Sequence, residues 1–187
     1  MKIKTLALAA GLALSALSAQ AVNVDQSISL VGSAADGFSA GLSDPSGTQV
    51  NHTLSGSFSD TFTFAFSGPA IIDVWLNTSA SKGQLASQQI VFTSATLNGM
   101  ALDIDPAWVA GGTVFRTAGL FQAPAEGNFV LTVNGYAGLE GSVGSVISAS
   151  YSGGINVMPS AVPEPGSYAL LLAGLGVVGF VARRRAR

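Results

Sequence analysis

No stretch between Val22 and Pro159 keeps apolar residues at helical spacing for three turns. Short runs of alternating apolar and polar residues occur instead, separated by Gly, Asp, Asn and Pro. Side chains alternate along a β-strand, so such runs predict strands with one buried face. Eight strands are predicted, at 24–31, 49–57, 61–66, 71–76, 89–97, 113–120, 128–134 and 145–157.

Strands that follow one another without helices between them favour antiparallel pairing, because a parallel pair needs a long crossover connection, usually a helix. We therefore predict an all-β domain over residues 22–160, an antiparallel β-sandwich of jelly-roll type. The chain has no cysteine, so disulfides, thiolate metal sites and thiol chemistry are excluded. A domain of about 140 residues can form a sufficient core without such links.

The charges of the predicted domain are mostly negative. Only Lys82 and Arg116 are basic between Val22 and Val162, against nine acidic residues, which gives a net charge of −7. Nucleic-acid binding depends on neutralising phosphates with Lys and Arg. The sequence therefore argues against a nucleic acid as partner.

One segment of the domain places a carboxylate among aromatic residues. Phe58, Asp60, Phe62, Phe64 and Phe66 all occupy even positions, so a regular strand puts Asp60 on the same face as the phenylalanines. An unpaired buried carboxylate is very costly. Either the chain turns or bulges near Asp60, with the carboxylate accepting backbone N–H groups, or Asp60 is buried and fully hydrogen-bonded. We favour the turn, and both interpretations make Asp60 structural.

The N-terminal residues 1–21 have the three parts of a secretory signal peptide in order. Lys2 and Lys4 form a basic start, residues 6–17 are rich in Leu and Ala, and Ala19 and Ala21 are small residues at the positions that signal peptidase reads. We expect a cleavable signal helix, removed after Ala21.

The C-terminal residues 161–187 have a second set of three parts. A proline-flanked acid at 162–165 precedes an apolar run at 167–182 and an arginine cluster at 183–187. The 16-residue run forms a helix of about 24 Å, shorter than the roughly 30 Å of a bilayer core. The arginines orient it with its end in the cytoplasm. We predict a short hydrophobic helix and a processing site, whose determining residues are Pro163, Glu164, Pro165, Arg183, Arg184 and Arg185.

This C-terminal segment resembles the PEP-CTERM sorting signal. The resemblance implies processing by exosortase, an integral-membrane cysteine protease of exopolysaccharide-producing Gram-negative bacteria. It also implies an inner-membrane precursor, transient contact with that membrane, and a product at the cell surface or outside the cell. Exopolysaccharide is the expected partner of the mature protein.

A second resemblance lies within the domain. Phe58-Ser59-Asp60-Thr61-Phe62 is similar to the signature of the FxDxF subfamily of PEP-CTERM proteins. Residues 151–157, which run into the C-terminal segment, are also similar to that subfamily. No established activity comes with that subfamily.

The sequence offers little for catalysis. His52 is the only histidine, and no Gly-x-Ser-x-Gly elbow is present. Asp103 and Asp105 share a face if extended and supply two oxygens, whereas Ca²⁺ takes six to eight, so a solvated turn is the favoured interpretation. We expect no catalytic residue, no metal and no cofactor.

Three functions remain open. The leading hypothesis is a non-enzymatic surface or matrix protein associated with exopolysaccharide and biofilm. The first alternative is a carbohydrate-binding module, since jelly rolls host many lectins and Trp75, Trp108 or Tyr136 can stack on a sugar ring. The second is a glycan hydrolase, which requires two suitably spaced carboxylates.

Overall fold

The computed structural model describes residues 21–45, 47, 49–160 and 165–185. Two short helical segments and one longer helix accompany the strands of these residues. The strands are β1 Asp25–Ile28, β2 Val31–Ser33, β3 Gly37–Gly41, β4 Val50–Leu54, β5 Gly56–Phe64, β6 Pro69–Ser81, β7 Ile90–Leu97, β8 Met100–Ala101, β9 Asp103–Ile104, β10 Trp108–Ala110, β11 Thr113–Glu126, β12 Phe129–Ala137 and β13 Val146–Pro159. The helices are a 3₁₀ turn at Lys82–Gln84, α1 at Leu85–Gln88 and α2 at Pro165–Arg185.

The strands form two sheets packed face to face. The first has the order β1-β5-β12-β7-β8, and the second the order β10-β11-β6-β13-β3-β2, with β4 paired to β13 and β9 to β11. Along the chain, β5, β6, β7, β11, β12 and β13 fall alternately in the first and second sheet. β12 lies between β5 and β7, and β13 lies between β6 and β3. This is the jelly-roll arrangement, so the predicted fold class is confirmed.

Alternation along the strands builds the core between the sheets. Every second residue of β5, β6 and β12 is buried, and the intervening ones are more exposed. Fully buried side chains from both sheets, such as Phe62, Phe129 and Ile72, meet in one cluster. The apolar faces that the sequence pattern indicated therefore form the interior.

The favoured interpretation of Asp60, a turn or bulge, is wrong. β5 runs without interruption through Asp60 and pairs in continuous register with β12, so that Asp60 lies opposite Val133. The side chain of Asp60 is fully buried. The break in the chain comes earlier, at Gly56, where β4 has ended and a positive φ of 144° redirects the backbone.

The predicted strands 49–57 and 61–66 divide at the wrong place, since β4 ends at Leu54 and β5 runs from Gly56 to Phe64. Most other differences are short strands. β2, β3, β8, β9 and β10 are short, and their few residues give little periodic signal. β1 pairs in parallel with β5, which needs no crossover helix because β2, β3 and β4 make the connection through the second sheet. The 3₁₀ turn at Lys82–Gln84 and α1 lie between β6 and β7, where we predicted no helix.

A bulge in β11 shapes the outer face of the second sheet. The pairing of β11 with β6 shifts between Leu120 and Ala123, opposite Asp73. Gln122 takes a positive φ of 56° there, and its N–H donates to Oδ1 of Asp73 at 2.7 Å. The carboxylate thus holds the bulge in place.

The C-terminal helix α2 covers the predicted apolar run and includes Arg183, Arg184 and Arg185 in its last turn. It begins at Pro165, a residue suited to the first helical position because it has no N–H to leave unpaired. Within the described residues, no helix combines the length and apolar character that a membrane crossing requires. Of the predicted signal peptide, residues 1–21, only Ala21 lies within the described residues.

Candidate functional site

A buried polar cluster joins the two sheets around the carboxylate of Asp60. Oδ1 accepts the N–H of Val24 at 2.8 Å, and Oδ2 accepts the hydroxyl of Tyr151 at 2.6 Å. Nε2 of His52 lies 3.1 Å from the same Oδ2. Because a carboxylate only accepts hydrogen bonds, Nε2 is the protonated nitrogen of His52 in this arrangement. Asp60 therefore has three donors, which is how a buried carboxylate is made tolerable.

Aromatic rings surround this cluster. Phe58 stacks on His52 with ring centroids 4.2 Å apart, and the edge of Phe92 meets Tyr151 at 5.5 Å. Burial raises the pKa of the Tyr151 hydroxyl well above its usual range, and the nearby charge of Asp60 and the hydrogen bond to it act in the same direction. The hydroxyl therefore remains a donor over the ordinary pH range.

The cluster is closed to solvent. His52, Asp60 and Tyr151 are each at most 1% exposed. Nδ1 of His52 is buried and finds no hydrogen-bond partner among the described residues. The three residues of the predicted family motif, Phe58, Asp60 and Phe62, all lie in the interior. Such an arrangement can hold the sheets together, but it presents no group to a dissolved substrate.

A second group of residues lies on the outer face of the second sheet. Trp75 of β6 has glycines as cross-strand neighbours on both sides, Gly119 on β11 and Gly154 on β13. A Cβ atom added at Gly154 would lie 2.5 Å from Cζ2 of Trp75, so the indole lies against that glycine. Likewise, a Cβ atom at Gly119 would lie 2.5 Å from Cε2 of Phe121. We call Trp75 and Phe121, with the two glycines beneath them, the aromatic platform.

The platform is accessible from solvent. Trp75 is 37% exposed and Phe121 65% exposed. The sequence had singled out Trp75, but not Phe121, whose ring is directed over Gly119 by the bulge in β11. The signal for Phe121 lies in cross-strand register, which a linear sequence does not display.

A groove lined by both polar and apolar residues adjoins the platform. It has a volume of about 670 Å³. Asp73, Asn156 and Ser39 are in register across β6, β13 and β3, and form its floor. Asp73 precedes Trp75 by two residues on the same strand face, a spacing of about 7 Å. Platform and groove therefore form one continuous surface.

The remaining candidate residues do not join this surface or the buried cluster. Trp108 stacks on Phe115 at 4.3 Å near the edge of the same sheet, and the Tyr136 hydroxyl donates to the carbonyl of Ser142. Asp105 accepts the hydroxyl of Thr117 at 2.7 Å. No group of three potential metal-binding His, Cys, Asp or Glu side chains occurs in the described part of the chain.

The predicted processing residues are only partly within the structure. Ala19, Pro163 and Glu164 lie outside the described residues. Ala21 is buried, and its N–H donates to the carbonyl of Ser57 at 3.1 Å. The side chains of Arg183, Arg184 and Arg185 are exposed at the end of α2.

Comparison with known proteins identifies the C-terminal segment. The family model of the PEP-CTERM protein-sorting motif matches residues 161–185, which confirms the predicted motif. The motif indicates an exported protein sorted by exosortase. The match covers the sorting segment and not the β-sandwich.

The β-sandwich itself has few counterparts in these comparisons. No curated protein matches the chain. Among solved structures, the Aeromonas hydrophila protein PliG, a periplasmic lysozyme inhibitor of g-type lysozyme, is similar at 12% identity with a TM-score of 0.30. The alignment covers 73% of this chain and 100% of that one. A likeness at that TM-score supports no conclusion about the present protein.

Proposed function

We propose that the chain is a non-enzymatic surface or extracellular-matrix protein associated with exopolysaccharide, and that it belongs to the FxDxF subfamily of PEP-CTERM proteins. The observation that carries the proposal is the sorting motif at residues 161–185, at the end of a jelly-roll domain. Exosortase sorting delivers such a domain to the place where exopolysaccharide accumulates.

The interior cluster supports the non-enzymatic part of the proposal. A Ser–His–Asp hydrolase needs an imidazole that can exchange a proton with a nucleophile at an accessible site. His52, the only histidine of the chain, is 1% exposed and is hydrogen-bonded to the buried Asp60. Its role in this proposal is to stabilise the sandwich.

A second candidate function, carbohydrate binding, is favoured by the aromatic platform beside a groove that contains Asp73 and Asn156. Carbohydrate binding is compatible with the first proposal, because a matrix protein can be retained by holding the polysaccharide directly. A glycan hydrolase would in addition need two carboxylates placed across a bound sugar, at the separations of about 5–9 Å that such enzymes use.

Cell fractionation tests the proposed function. An epitope inserted between Gly111 and Gly112, two exposed glycines in the turn between β10 and β11, allows the domain to be followed. In a host with exosortase we expect the epitope in the matrix fraction, and much less of it there in an isogenic strain without polysaccharide synthesis. An unchanged distribution between the two strains would refute the association with exopolysaccharide.

The processing step has its own matched variants. Glu164→Ala should leave uncut precursor in the inner membrane, whereas Glu126→Ala, an exposed glutamate of the β-sandwich, should be processed normally. Mass spectrometry should show a product that ends near Pro165. Full-length chain at the cell surface with Arg187 intact would indicate a permanent anchor and contradict the proposed sorting.

A further inference from the structure

We propose that the aromatic platform and the adjoining groove are a binding site for an uncharged polysaccharide, with Trp75 and Phe121 stacking on pyranose rings and Asp73 and Asn156 binding their hydroxyls. The inference rests on the proposed association with exopolysaccharide and assigns it to one face of the domain.

The first argument is the orientation of the two rings. An aromatic side chain on a sheet normally stands away from the strands, with neighbouring side chains around it. Trp75 and Phe121 instead lie against Gly154 and Gly119, each of which would clash with the ring if it had a Cβ atom. Each ring therefore lies close to the backbone of its glycine, and 37% of Trp75 and 65% of Phe121 remain exposed. The negative face of an aromatic ring attracts the partly positive C–H groups on the flat side of a sugar.

The second argument is that the two glycines lower the stability of the sheet. Glycine in a strand interior weakens the sheet, because it loses more conformational freedom and has no side chain to pack. Neither Gly119 nor Gly154 has a positive φ that would require glycine. Both leave room for a ring, so the close approach of the ring gives a reason for glycine at each position.

The third argument is the chemistry of the groove. Asp73 uses Oδ1 to accept the N–H of Gln122, and its other oxygen has no partner among the described residues. Asn156, in register with Asp73 on the neighbouring strand, is exposed and offers both a donor and an acceptor. Sugar hydroxyls both donate and accept, so a carboxylate beside an amide suits them. A volume of about 670 Å³ is in the range of small-ligand sites.

The fourth argument is charge, which selects among polysaccharides. Asp36 and Asp73 line the groove, and Asp103 lies in register with Gly119 beside the platform. The only basic residues between positions 22 and 162 are Lys82 and Arg116, and Arg116 is in register with the inward-facing Thr78. An acidic polysaccharide would be repelled from this face. An uncharged polysaccharide is not repelled.

Tryptophan fluorescence provides a direct test, because Trp75 and Trp108 are the only two tryptophans. In full-length Trp108→Phe protein, kept in mild detergent, all tryptophan emission comes from Trp75. We expect titration with neutral oligosaccharides from galactomannan, xyloglucan or mixed-linkage glucan to change this emission saturably for at least one of them, and alginate oligomers to have no effect. The converse variant, Trp75→Phe, should show no change in the emission of Trp108.

Affinity electrophoresis with the same polysaccharides measures the contribution of each residue. Trp75→Ala should weaken binding at least tenfold, and Phe121→Ala several-fold. Gly119→Ala keeps both rings but displaces Phe121, whose ring supplies the three atoms nearest to the added methyl, and should also weaken binding. Trp108→Ala is the matched control for loss of an exposed tryptophan and should bind normally.

The failures of the two proposals are distinguishable. Binding of alginate alone, equal losses in Trp75→Ala and Trp108→Ala, or no neutral polysaccharide bound would overturn the assigned site. A self-association that disappears in Trp75→Ala would identify the platform as a contact between copies and would likewise overturn it. Fractionation in the strain without polysaccharide still tests the proposed function independently, because its epitope-tagged domain keeps the aromatic platform and groove unchanged.

Discussion

The interior cluster around Asp60 and the aromatic platform around Trp75 combine the same kinds of side chain, a carboxylate with aromatic rings, one between the two sheets and the other on the outer surface. β13 contributes to both, with Tyr151 directed inward and Gly154 outward. Inside, both carboxylate oxygens accept hydrogen bonds and the side chain is fully buried. Outside, Asp73 accepts one backbone N–H, and its second oxygen has no partner within the described part of the chain. The two regions therefore differ less in residue type than in whether their polar atoms are already hydrogen-bonded within the protein and closed to solvent.

The largest expected effect breaks the interior cluster. Asp60→Ala leaves the Tyr151 hydroxyl, Nε2 of His52 and the N–H of Val24 without an acceptor, so we expect the free energy of unfolding to fall by at least about 3 kcal/mol. Chemical denaturation measures this change. Asp60→Asn should lose less stability than Asp60→Ala, because it keeps one acceptor oxygen. Asp73→Ala is the matched control on the outer face, and an equal loss in both variants would contradict the contrast between the faces.

Tyr151→Phe tests the same cluster through pH. Loss of one buried hydrogen bond should cost about 1–2 kcal/mol at pH 7. Because the pKa of Tyr151 is raised in the folded state, the unfolded chain loses this proton first, at about pH 10, and the unmutated protein loses stability as pH rises further. Tyr151→Phe lacks this contribution. The difference in the free energy of unfolding between the unmutated protein and Tyr151→Phe should therefore become smaller between pH 9 and about pH 11. A gap that stays constant in denaturation curves at both pH values would show that Tyr151 is not the neutral donor.

His52→Leu should have a smaller effect. The substitution removes one donor from Asp60, which keeps two, but it also removes the buried Nδ1 that has no partner among the described residues. These contributions oppose each other, so we expect the free energy of unfolding to change by at most about 1 kcal/mol. A loss as large as that of Asp60→Ala would mean that Nδ1 has a partner, such as an internal water.

The smallest expected effect on stability is that of Phe121→Ala on the platform. The side chain is 65% exposed, and surface substitutions usually change stability by about 0.5 kcal/mol or less. Phe64→Ala, at a fully buried phenylalanine of β5, is the matched comparison and should cost about 3–5 kcal/mol. Similar thermal midpoints for these two variants would remove the distinction between a surface and a core aromatic.

The same contrast explains how much could be predicted from the sequence. The alternation of residues in β12 is local and predicted that strand and its buried face, whereas in β5 the same alternation was predicted as two strands, 49–57 and 61–66, with a break at Asp60. The all-β sandwich class followed from the whole series of predicted strands. The partners of Asp60 are not local, since Val24 and Tyr151 lie 36 and 91 positions away along the chain. Without knowledge of these partners, a turn at Asp60 implied a smaller desolvation cost for the carboxylate than burial in a strand. The platform depends on the register of Gly119 and Gly154 with Trp75, which is equally long-range.

The place of β13 in the second sheet has a consequence for the order of events during export. A chain that crosses a membrane from its N-terminus delivers β3 and β6 early, yet β13 must lie between them before that sheet is continuous. The last hydrogen bond of the sheet region, from the N–H of Ser160 to the carbonyl of Pro69, belongs to residues only a few positions before the sorting segment. The second sheet therefore cannot close until the chain as far as β13 is available, and only a few residues separate that strand from the sorting segment.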